Sequence, residues 1–260
     1  MFILDGIIFD RIQTGVAESL GDDMLYTLAN MSDATIETTS DSKEAKDKDG
    51  VLIKKIYQAK AATLKGTNTL MDWNIYGEQT GSGKIVASSE APIQMPKIVI
   101  VDSSVKTVSV KDAVEGTIKV ASITGAGSLQ KNYTQAAAAS ATEFGYATNT
   151  VTLPTGTDAT QFMVKYERKV TSGAMVENRA DKFPDTIKLT LKALCFDPCT
   201  PATVRACYIV FPSFQLSPET SAQLTTDATF EFNGDAQVDY CNPNKRLYYI
   251  CMAEDDIEAA

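Results

Sequence analysis

The chain has 260 residues, 44% of them hydrophobic, with a formal net charge of −9 and no histidine. That length suits one large β domain or a core domain carrying an inserted module. The acidic balance speaks against a groove that grips nucleic acid. The absence of histidine removes Ser-His-Asp and Cys-His catalysis, imidazole metal sites and the usual general base near neutral pH, so no catalytic, cofactor-binding or metal residue is assigned and no enzyme activity is expected.

The opening "MFILDGIIFDRIQTG" is short, apolar and strand-like. It has no basic start, and Asp5 interrupts its apolar run, so it does not have the pattern of an export signal. No apolar run approaches the length of a membrane span, and synthesis in a cytoplasm is expected. From Ala34 the chain alternates, with Ile36 and Thr38 on one face and Glu37 and Thr39 on the other. Ser40 to Gly50, "SDSKEAKDKDG", mixes both signs of charge and ends in an Asp-Gly turn signal, which predicts a long solvated loop. Val51 to about Leu64 resumes as strand, giving a hairpin with a charged tip. "TNTLMDWNIYGEQTG" predicts a short helix capped by Thr67 or Asn68 and ended by Gly77 or Gly81. Leu70, Trp73 and Tyr76 or Gly77 would form its apolar stripe, with Trp73 as a core anchor.

"GEQTGSGKIV" (Gly77–Val86) has the look of a phosphate loop and fails as one twice. The G-x-x-x-x-G-K-[ST] pattern needs a leading glycine where Glu78 stands and a hydroxyl where Ile85 stands. The segment also follows a helix C-terminus, where the helix dipole repels phosphate and glycine supplies left-handed φ.

From about Ile98 to Lys169, short strand runs at regular spacing, separated by Gly, Asn and Pro, predict a small β-sandwich module. The tract Ala136–Ala139 lacks caps and is expected as loop. Beyond it, "FPDTIKLTLKALCFDPC" alternates cleanly, Ile187, Leu189 and Leu191 against Lys188, Thr190 and Lys192, and three further runs complete an antiparallel meander. The closing "AEDDIEAA" is expected as a mobile acidic tail. All five cysteines lie in the last third. Cys207 and Cys251 sit in apolar runs and suit small buried thiols. A metal or disulfide cluster of Cys195, Cys199 and Cys241 stays open as the alternative to core or turn thiols.

The fold class is therefore mainly β: an antiparallel β-sandwich or barrel core with one short flanking helix and an inserted small β module. The organisation is 1–97 as the N-terminal part of the core, 98–170 as the module, 171–252 as the C-terminal part and 253–260 as the tail.

The hairpin and helix of Ala34–Gly81, followed by "NRADKFPDTIKLTLKALCFDPC", "YIVFPSFQLSP", "LTTDATFEFNGDAQVDYC" and "KRLYYI", resemble the major tail, or tail tube, proteins of tailed bacteriophages. Asn178–Ile250 carries most of the resemblance, and the middle module matches only in being inserted and β-rich. The resemblance implies a structural virion protein whose protomers join their sheets into hexameric rings. These rings stack into a tube through which DNA passes without specific binding. It implies tape measure and tail terminator proteins as partners, with a sheath as an open alternative, and a place in the virion tail. On that basis the hairpin, with Glu37, Thr39 and Lys54, is expected to line the lumen. Lys43, Glu44, Lys46, Asp47, Lys48 and Asp49 are expected to contact the next ring, and the module to lie outside the ring. The alternatives are another phage structural β protein (decoration, capsid-associated or baseplate), a strand-paired surface protein, and a glycosidase working through two carboxylates.

Overall fold

The computed structural model describes residues 6–29, 31–198, 203–221, 223–226, 228–238 and 243–258. In chain order the strands begin with β1 (Ile8–Ser19), β2 (Met24–Leu28), β3 (Met31–Lys46) and β4 (Leu52–Asn68), and the helix α1 (Trp73–Gln79) follows. Next come β5 (Lys84–Val86), β6 (Ile93–Asp102), β7 (Thr107–Ser109), β8 (Lys119–Ile123), β9 (Leu129–Ala136), β10 (Glu143–Ala147), β11 (Thr150–Thr152), β12 (Gln161–Val170) and β13 (Ala174–Val176). The last four are β14 (Thr186–Phe196), β15 (Val204–Leu216), β16 (Phe230–Ala236) and β17 (Tyr249–Glu258). The protein is mainly β, and two compact units divide it: Met1–Lys84 with Val176–Ala260, and Ile85–Met175. The second unit is wider at both ends than the 98–170 stretch. The chain's two crossings, β5 and β13, pair with each other.

The first unit is one curled sheet in the order β2-β1-β14-β15-β16-β4-β3, with β17 paired to β15 off that path. The alternation of β14 places Ile187, Leu189 and Leu191 in the core, where each is at most 2% exposed. Its other face holds Lys188 in ion pairs with Glu18 (2.9 Å) and Asp22 (3.4 Å), and Lys192 in one with Glu258. Pro212 lies inside β15 and lacks a ladder donor. The sheet accommodates it with a bulge, since Ile187 faces Phe214 and Leu189 faces Phe211. Two glycines make room for rings: a Cβ on Gly66 would meet Phe232 Cε1 at 2.2 Å, and one on Gly234 would meet Phe214 Cζ at 2.3 Å. Close approach is what those strand positions need from glycine.

The second unit has its own sheet, in the order β6-β12-β8-β9-β10-β11-β7, and its own core of Val120, Phe144, Phe162, Val164 and Tyr166. β12 pairs with β6 over ten residues without a register shift. Pairing is antiparallel except between β9 and β10.

Four expectations need correction. Ser40–Lys46 is strand: β3 and β4 run on as a ladder to Lys46↔Leu52, and only Asp47–Val51 turns. Cross-strand pairing, with β-branched and apolar partners on β4, holds polar residues that composition alone assigns to a loop. The helix is capped by Asp72, whose side chain accepts from Asn74 N and Ile75 N, while Thr67 and Asn68 end β4. Trp73 is 44% exposed and Leu70 60% exposed, and the buried helix positions are Ile75, Gly77 and Gln79. Leu70 lies before the helix begins, and the face of α1 that packs is the one carrying Ile75 and Gln79. Finally, the acidic segment 253–258 belongs to β17. Glu258 pairs with Val204 in the ladder and forms the Lys192 ion pair, so ladder pairing and a lysine on the outer face of β14 order these acids.

Candidate functional site

Three features of the first unit answer the sequence expectations: a sheet face, an arm and the glycine turn beside α1.

The face belongs to β3, β4 and β16. Their inward positions, Ile36, Leu64 and Phe232 among them, join the core. Their outward positions are Asp33, Thr35, Glu37 and Thr39 on β3, Thr63, Lys65 and Thr67 on β4, and Glu231, Asn233 and Asp235 on β16. Four carboxylates share this face with a single lysine, and Lys65 is tied to Glu37 at 2.8 Å. An exposed pair of this kind contributes about 0–1 kcal/mol, but it neutralises the one cation on the face. Asp33, Glu231 and Asp235 were missed from the sequence, although the alternation of "FEFNGDA" announces the β16 pair.

The arm is the same hairpin beyond the sheet. Every β4 residue from Leu52 to Ala61 is exposed. An extra β4 residue bulges where Ser40 faces Lys60 and Ser42 faces Tyr57, while β3 alternates without interruption. Ala45 therefore shares a face with Glu37 and Thr39, and Lys54, opposite Ala45, joins them. Lys43, Glu44 and Lys46 lie on the β3 side of the arm, and Asp47, Lys48 and Asp49 form its tip. There Asp47 Oδ1 accepts from Asp49 N (2.9 Å) and Val51 N (2.8 Å), and Gly50 takes φ +82°. The local pairs Lys46–Glu44 (3.2 Å) and Lys48–Asp49 (3.9 Å) are solvent-exposed. The arm also exposes Ile53, Ile56 and Tyr57, apolar residues that the long-loop expectation placed in a plain strand.

The glycine turn is no anion cradle. Its N–H groups point back at the helix, Ser82 N (3.3 Å) and Gly83 N (3.0 Å) both donating to Gly77 O. Gly81 has φ +68°, and a Cβ there would sit 2.4 Å from the Phe183 carbonyl carbon and oxygen. These glycines are needed for left-handed φ and close backbone packing.

Cys195 and Cys207 are buried, and Cys251 is exposed on β17, so only the first two behave as core thiols. Tyr249 and Ile250 beside it are exposed as well, so this stretch of β17 is covered on neither face and its apolar run does not bury Cys251. Cys195 Sγ donates to Met252 Sδ at 3.2 Å. Cys199 and Cys241 lie outside the described residues, and so does their proposed cluster. Among the described residues no group of three or more His, Cys, Asp or Glu side chains is placed to hold a metal. Burial pushes both core thiols up, Cys207 to about 12. The thiolate is the nucleophile, so burial makes both core thiols slow to react. Brief alkylation of the native protein, followed by peptide mapping, is expected to modify Cys251 and spare Cys195 and Cys207. Equal labelling of all three would contradict the burial.

Open strand edges, a two-stranded arm and a charged sheet face give the first unit surfaces suited to contact. A family model matches residues 12–250, and the chain belongs to the YomU/Tube protein family. It is thus a phage tube-type structural protein, a component of the virion tail. No curated protein matches the sequence. No helix among the described residues is long and apolar enough to cross a membrane.

Proposed function

We propose that this protein is the major tail tube subunit, forming hexameric rings that stack into the DNA conduit of a phage tail. One observation carries the proposal. The outward face of β3, β4 and β16 offers four carboxylates, several threonines and one lysine already held by Glu37. DNA affinity comes mainly from Lys and Arg on phosphate. A bore lined by this face repels the duplex and lets it slide. Glu37 and Thr39 lie on that face, with Lys54 further along its arm. The arm, with Lys43, Glu44, Lys46, Asp47, Lys48 and Asp49, reaches the neighbouring ring. The subunit's work is mechanical, with no catalysed step and no cofactor. Its other partners are the tape measure and terminator proteins of the tail.

Negative-stain microscopy of the purified protein at high concentration tests this. Rings or tubes of uniform bore are expected, and monomers under all conditions would contradict it.

The unit Ile85–Met175 sits on the outside of the ring in this scheme. It has a separate core, and its chain ends are brought together by β5 and β13, with Ala87 N donating to Gly173 O at 2.9 Å. Replacing residues 88–172 with a short Gly/Ser turn is expected to leave a soluble chain that still forms rings. Loss of all soluble protein would show that the unit is not separable.

A further inference from the structure

Among the described residues the first unit has several unpaired strand edges, the outer edges of β2 and β3 among them, and two others carry opposite charge. The first is the arm edge of β4. β16 covers β4 only from Ala62 to Asn68, which leaves Leu52–Ala61 open on that side. Lys54, Lys55 and Lys60 lie along it, and no acid occurs between Gly50 and Met71. Beside the lysines it exposes Ile53, Ile56 and Tyr57 at 68%, 51% and 68%. The second edge is β17, which is paired to β15 on one side only. It has no lysine or arginine and carries Glu254, Asp255, Asp256 and Glu258. Glu258 is held by Lys192, whereas Glu254 and Asp255 are exposed.

The register between β15 and β17 jumps from Arg205↔Ile257 to Cys207↔Met252, so the residues between Met252 and Ile257 bulge away from β15. Arg205 Nε donates to the Glu254 carbonyl at 3.2 Å and anchors the bulge. A bulge re-aims side chains, and this one presents two carboxylates at an open edge.

We propose that the β4 edge of one copy pairs antiparallel with β17 of a second copy, with Gln58 opposite Cys251 and Tyr57 opposite Met252. This rests on the tube function proposed above, since it names the surface that the arm meets in the neighbouring ring. Lys54 and Lys55 then fall beside Asp255 and Glu254. The two lysines project from opposite faces of the arm, as adjacent strand residues must, so each sheet face gains a cation beside the acidic bulge. Backbone bonds satisfy both edges, and edges of this kind are otherwise an aggregation hazard. The contact is heterologous: each copy offers β4 in one direction and β17 in the other, so it propagates from copy to copy, as a stack requires.

The test uses the full chain. Gln58→Cys places a thiol opposite the native Cys251 of the next copy. Under oxidised glutathione, assemblies of this variant are expected to give a ladder of disulfide-linked oligomers on a non-reducing gel, and adding Cys251→Ser abolishes it. A ladder that survives Cys251→Ser marks a different partner surface and overturns the pairing. So does the absence of any ladder from Gln58→Cys assemblies. Charge exchange gives a second readout. Lys54→Glu/Lys55→Glu and Glu254→Lys/Asp255→Lys are each expected to raise the concentration for half-assembly by about ten-fold or more. An equimolar mixture of the two, both folded by circular dichroism, recovers wild-type assembly. Either variant assembling alone like wild type, or a mixture that does not recover, overturns the pairing while wild-type tubes leave the tube function standing. A wild-type protein that never assembles removes both.

Discussion

Phe214→Ala is expected to destabilise the first unit by about 3–5 kcal/mol, the range for removing a buried aromatic ring. Phe214 is fully buried. Its ring packs on Phe211 with centroids 5.3 Å apart and lies over Gly234, whose missing Cβ makes its room. The strands on either side are held by the β14 and β16 ladders, so the site cannot collapse to fill the gap. Total stabilities run at about 5–15 kcal/mol, so this single change removes a large share. With two separate cores, the denaturation curve need not be two-state. The shift belongs to the transition of the first unit, and the second unit's transition stays in place. A change below about 1 kcal/mol would mean that the core packs less tightly than these contacts imply.

The second large effect concerns charge. Changing Asp33, Glu231 and Asp235 together to lysine is expected to make this acidic sheet face bind DNA, while leaving the Lys65–Glu37 pair intact. Asp33, Glu231 and Asp235 are exposed, and surface changes of this kind usually alter stability by within about 0.5 kcal/mol each. Variant tubes are expected to retain short duplex DNA at low salt. Affinity should fall by about 10³–10⁵ between 50 and 200 mM salt if six or more phosphates are contacted. Wild-type tubes should retain none. Equal retention by the two would exclude this face from the DNA path.

Much of the architecture was legible in the chain because burial leaves a period-two mark. β14 shows this best: Ile187, Leu189 and Leu191 alternate with charged or hydroxyl residues, and the structure buries the first set. The glycines of "GEQTGSG" were also readable, since a helix end explains them better than a phosphate does. Three things were not. The strand at Ser40–Lys46 has Ala45 as its one apolar residue, so no hydrophobic alternation records it, and only its partner β4 defines it. The Asp72 cap lies in a run of possible caps, Thr67, Asn68 and Thr69 among them, and tertiary packing of Ile75 decides which one starts the helix. The acidic face needs β16 beside β4, a contact between residues far apart in the chain. Glu231 and Asp235 could be seen to share a side, but not whose side they share.

The most direct measurement is a cryo-electron microscopy reconstruction of the assembled protein. The tube function predicts the outward face of β3, β4 and β16 against the bore, with Glu37, Thr63 and Asp235 within reach of a passing duplex. A tube in which those side chains face the outer surface, with another part of the chain lining the bore, would contradict it.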